Sequence, residues 1–67
     1  MVEIRLKTNV GRVTIAVKNA FGLDGLDHSV LVNFYHSPYL VMIKQHNKTY
    51  TIPMSNVMCI LVENTNE

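Results

Sequence analysis

The chain has 67 residues, a formal charge of +1 and 48% hydrophobic residues. A domain this small buries only about 60% of the surface that its unfolded chain exposes, so it needs support from a disulfide, a metal or self-association. A single cysteine excludes an internal disulfide, and the near-neutral balance excludes a strong global pull towards nucleic acid or membrane.

The first residues, Met-Val-Glu-Ile-Arg, hold no apolar stretch of the kind a signal peptide carries. No apolar run approaches the roughly 18 residues of a membrane helix. A free cysteine in an apolar strand fits a reducing compartment, so the expected location is the cytoplasm. Val2, Ile4 and Leu6 alternate with Glu3, Arg5 and Lys7, and Val13, Ile15 and Val17 alternate with Arg12, Thr14, Ala16 and Lys18. This period of two with β-branched residues predicts two half-buried strands. Thr8-Asn9-Val10-Gly11 carries turn chemistry between them. The hairpin buries one apolar face if Leu6 lies opposite Val13 and Ile4 opposite Ile15; a slip of one residue would bury a charged row.

Residues 19–28, NAFGLDGLDH, break the pattern and hold two of the three glycines. They predict a loop, with Phe21, Leu23 and Leu26 plugging one end of the sheet. Ser29–Tyr35 predicts a third strand, apolar on both faces, turned by His36-Ser37-Pro38. Three more strands follow: Tyr39–Gln45, Lys48–Pro53 and Val57–Val62. A two-residue His46-Asn47 turn would pair Gln45 with Lys48, Ile43 with Tyr50 and Val41 with Ile52. Tyr39, Val41, Ile43, Tyr50 and Ile52 would then share a core face. In the last strand Val57, Cys59 and Leu61 oppose Met58, Ile60 and Val62, so both faces are apolar. Residues 63–67, ENTNE, read as a frayed polar tail.

This pattern predicts one all-β domain over residues 1–67: a small antiparallel barrel of five to six strands with a glycine-containing loop at 19–28. The closing segment YTIPMSNVMCILV resembles the end of SH3-like and Sm-like barrels, where a strand runs through a short 3₁₀ turn into a final strand. The resemblance covers residues 39–63 and is one of pattern. It implies the fold, and it brings no site residues with it.

Few residues can carry chemistry. His28, His36 and His46 stand in separate loops or strand ends and lack the close spacing of zinc ligands. Asp24 and Asp27 lack the further oxygen ligands of a calcium loop, and Asp27 is placed to satisfy loop amides instead. Cys59 sits mid-strand, where burial would make it inert. The serines have no glycine-flanked elbow. The expectation is therefore a protein that is not an enzyme and has no metal, no cofactor and no catalytic residues.

Two surfaces remain. Arg5, Lys7, Arg12 and Lys18 are four of the six basic residues and share the hairpin's polar face, opposed only by Glu3. That face is a candidate anion site for nucleic acid or a nucleotide, cyclic nucleotides included. Leu40, Met42, Met58, Ile60 and Val62 lie on strands whose other faces fill a core. They predict an interface, with a homodimer favoured and about 800 Å² buried per partner. The leading expectation is thus a binding module that self-associates and acts through a partner. Small barrels of this size often serve as accessory or inhibitory factors, including phage-encoded ones that bind a host protein. The other two classes are an anion binder that sequesters nucleotide or nucleic acid, and a purely structural oligomer.

Overall fold

A computed structural model describes residues 1–64. The alternating segments form β1 (Val2–Thr8) and β2 (Gly11–Val17). The central apolar segments form β3 (Leu31–His36), β4 (Leu40–Gln45) and β5 (Lys48–Pro53). A 3₁₀ turn, Met54–Asn56, leads into β6 (Val57–Glu63). The protein is all-β, with six strands in one sheet in the order β5-β4-β3-β1-β2-β6.

Both hairpins have the register that their apolar spacing predicts. In the first, Leu6 lies opposite Val13 and Ile4 opposite Ile15. In the second, Ile43 lies opposite Tyr50, Val41 opposite Ile52 and Gln45 opposite Lys48. His46 opens that turn with a φ of 56°, the left-handed conformation a two-residue hairpin needs. Asn9 and Val10 form the first turn, closed by the Thr8 hydroxyl donating to the Gly11 carbonyl at 2.7 Å. Gly11 has a φ of 124°, which a side chain would strain. A Cβ there would also collide with the Glu63 carbonyl, so only glycine lets β6 lie this close to the start of β2.

The sheet consists of two three-stranded halves. β6-β2-β1 and β3-β4-β5 are each antiparallel. They meet in a short parallel ladder, Lys7 opposite Leu31 and Thr8 opposite Val32. Asn9 fastens this junction: its N–H donates to the Val32 carbonyl and its side chain accepts from the Phe34 N–H, both at 3.2 Å. Ile4, Leu6, Val13, Ile15 and Val17 from one half pack with Val32, Val41, Ile43 and Ile52 from the other in one core. The expected barrel does not close. β5 and β6 are the two ends of the sheet and do not pair, and the β1–β3 contact is parallel rather than antiparallel.

The loop between β2 and β3 caps the core with Leu23 and Leu26, as predicted. Phe21 does not join them and is 94% exposed. Two amide side chains pin the loop. Asn56 accepts from the Asn19 N–H at 3.2 Å and donates to the Asn19 carbonyl at 2.9 Å. Gln45, itself buried, accepts from the Asp27 N–H at 3.0 Å and donates to the Asp27 carbonyl at 2.6 Å. Each amide pairs with both backbone groups of one residue, Asn19 or Asp27, where the loop meets the sheet.

Three further expectations need correction. Tyr39 lies in the β3–β4 turn and is exposed, not on the core face. The last strand is also inverted relative to the simple alternation. Ile60 lies opposite Ile15 and Val62 opposite Val13, on the core side, while Cys59 and Leu61 lie opposite Ala16 and Thr14, on the outer side. A bulge at Met58, between the pairs Ala16–Cys59 and Val17–Val57, adds one residue and reverses the parity. Cys59 is therefore exposed, not buried. Glu63, read as the start of a frayed tail, ends β6 opposite Arg12, and the rest of that tail, 65–67, falls outside the described residues.

Candidate functional site

The outer face of the first half-sheet is built by the same alternation that builds the core. With Ile4, Leu6, Val13 and Ile15 inward, Arg5, Lys7, Arg12 and Thr14 point outward. Arg5 lies opposite Thr14, and Lys7 directly opposite Arg12. These side chains line a groove of about 570 Å³ that crosses the strands from His28 at one side to Leu61 and Glu63 at the other. Of the four cations expected to share a face, the groove gathers Arg5, Lys7 and Arg12. Lys18 lies beyond the end of β2 and borders a separate depression of about 440 Å³ with Asn19, Phe21 and Asn56. Its backbone N–H donates to the Asn56 carbonyl, which holds it there.

The groove also contains polar groups that the single hairpin did not predict. Glu63 joins Glu3 because β6 lies against β2, and His28 arrives because the loop runs back beside β1. Arg5 is within 3.4 Å of Glu3, the one ion pair among the described residues. Both side chains are well exposed, so this pair holds little energy.

The five apolar interface candidates fall in three places. Leu40 and Met42 are half-buried on the outer face of β4, where Met42 lies opposite Tyr35. The Lys44 ammonium stands 5.5 Å from the centre of the Tyr35 ring beside them. Met58 projects from the bulge of β6 and is 55% exposed. Ile60 packs against the core, and Val62, on the same side, is 46% exposed at its rim. β3, β1 and β2 separate β4 from β6, so Leu40 and Met42 do not share a patch with the others. Leu61, which was assigned to the inner face, is 55% exposed on the outer one.

Asp27 does what the loop chemistry predicts. Its carboxylate accepts from the Ser29 hydroxyl at 2.6 Å and the Ser29 N–H at 2.9 Å. The hydroxyl bond, followed by the backbone bond, holds its pKa below the usual carboxylate range. Among the described residues no three His, Cys, Asp or Glu side chains cluster closely enough to hold a metal ion. No helix is long and apolar enough to cross a membrane. No family model, curated protein or solved structure matches the chain.

Proposed function

We propose that the protein is a non-enzymatic binding module whose working form is a homodimer joined edge to edge through β6. The observation that carries this reading is the composition of that edge. β6 has β2 on one side and no strand on the other, and Val57–Val62 is apolar throughout. Met58, Leu61 and Val62 remain about half exposed on it. A long apolar edge strand is a template for a further strand, and a monomer normally blunts it with lysine, proline or a covering segment. A second copy supplies a strand of the same length and character. Pairing two β6 strands about a twofold axis would continue the sheet and cover the same apolar side chains on each copy. The short chain, which has no internal disulfide, gains the support its small core lacks.

Light scattering across micromolar concentrations tests the reading. The wild type is expected to give the mass of a dimer. Met58→Lys together with Val62→Lys is expected to give a folded monomer, because both side chains are substantially exposed and charge on an edge opposes strand addition. Ile60→Glu does not serve here, since Ile60 packs against the core and its loss tests folding instead. A wild type that stays monomeric throughout, or that pairs β6 only with a strand from a different protein, would overturn the proposal.

A further inference from the structure

The groove on the outer face holds an arrangement that a merely solvated surface does not need. Lys7 and Arg12 stand directly opposite one another across the β1–β2 ladder. Like charges in that position repel; Arg12 has an opposite charge, Glu63, across its other ladder but forms no ion pair with it, and Lys7 has none opposite it. Among the described residues neither forms an ion pair; the one ion pair joins Arg5 to Glu3. An anion seated between Lys7 and Arg12 would turn this repulsion into two charge-assisted hydrogen bonds. Arg5 and His28 line the same groove and offer further N–H donors.

Size and the remaining lining decide what kind of anion fits. The groove is open to solvent along one side, and its volume of about 570 Å³ leaves room for a small molecule laid along it. Leu61 gives the groove an apolar contact, and Thr14 gives it a hydroxyl. Glu3 and Glu63 lie in it as well. An extended polyanion crossing the groove would bring phosphates against both carboxylates. A compact ligand with one anionic end and a body rich in hydroxyl or amino donors would place its charge at Lys7 and Arg12 and its donors towards the carboxylates.

We propose that this groove binds a small phosphate monoester of the nucleoside monophosphate class, with the phosphate between Lys7 and Arg12 and the nucleoside body across Thr14 and Leu61. The site lies within one chain and does not depend on assembly through β6. Calorimetric titration at low salt, with amide chemical shifts followed in parallel, tests it with four probes: adenosine 5′-monophosphate, adenosine, inorganic phosphate and a ten-nucleotide single-stranded DNA. The monophosphate is expected to bind at submillimolar concentration and to shift the amides of Lys7, Arg12 and Leu61. Phosphate alone should bind more weakly, and adenosine more weakly still. Lys7→Gln with Arg12→Gln should lower the affinity for the monophosphate by about tenfold or more, with the far-ultraviolet spectrum and thermal unfolding retained. Light scattering of the same samples separates this result from any change in assembly. Three results would overturn the proposal: no binding of the monophosphate at millimolar concentration, equal binding by the double variant, or tighter binding of the DNA with a salt dependence of several phosphate contacts.

Discussion

The two ends of the sheet, β5 and β6, face the same problem and meet it differently. β5 reads Lys48-Thr49-Tyr50-Thr51-Ile52-Pro53. A lysine opens it, a proline closes it and threonines occupy its outer side, all of which discourage a further strand. The β2–β3 loop also reaches it, where the Tyr50 hydroxyl donates to the Gly25 carbonyl at 2.7 Å. β6 reads Val57-Met58-Cys59-Ile60-Leu61-Val62-Glu63 and has no charge before its last residue. Its protection is limited to the bulge at Met58. The contrast indicates that the chain is equipped against pairing at one end and leaves the other open to it. Apolar content alone would not reveal this, because β4 also carries an unbroken apolar run, Leu40–Ile43, yet lies between two strands.

The largest expected effect separates the two edges by burial. Ile52 on β5 is fully buried, so Ile52→Ala should lower unfolding free energy by about 2–5 kcal/mol in chemical denaturation. Leu61→Ala on β6, measured on dilute protein, should change it by no more than about 0.5 kcal/mol. Equal losses at both positions would show that β6 is covered by its own chain.

Gly11→Ala should follow, at about 1–3 kcal/mol, because it combines a strained φ with a collision against the Glu63 carbonyl. The same denaturation experiment reads it. Amide exchange should show the loss concentrated where β6 meets β2, with the β4–β5 hairpin little affected.

Cys59 reports on the β6 edge directly. The thiol is exposed on the outer side of that strand, so a thiol reagent should label the native protein readily at low concentration. Labelling should slow as concentration rises, if a second copy covers the edge. A rate independent of concentration would break the link between exposure and assembly.

The smallest effect belongs to the loop on the β5 side. Ser29→Ala removes the hydroxyl bond that is the main cause of the low Asp27 pKa, so that pKa should move up towards the usual carboxylate range in an NMR titration. A carboxylate with a depressed folded pKa stabilises above its unfolded pKa, and that contribution is lost as pH falls through the folded value. The wild type should therefore hold the loop closed to more acidic pH than the variant. An unchanged Asp27 titration would mean that the Ser29 hydroxyl does not set the pKa.

Much of this protein was legible in the order of its residues. The two hairpin registers follow from apolar side chains at every second position and from turns of fixed length, since a slip of one residue would turn Leu6 or Ile43 to solvent. The outward row of Arg5, Lys7 and Arg12 follows from the same alternation, and the 3₁₀ turn at Met54–Asn56 is the one that the resemblance of the closing segment to SH3-like and Sm-like barrels implies. These are local matters, decided within a few residues. What joins the halves is not local. Only the folded chain places β1 between β2 and β3, leaves β5 and β6 unpaired and brings Glu63 and His28 to the basic groove. The same holds for the amides of Asn56 and Gln45, whose partners lie 37 and 18 residues away. The bulge at Met58 is the clearest case. Nothing in the run Val57–Val62 marks which residue is extra, because every side chain in it is apolar, yet that one residue decides that Ile60 meets the core and Cys59 meets solvent. Periodicity specifies a strand's faces where apolar and polar residues alternate; where they do not, the neighbouring strand must choose.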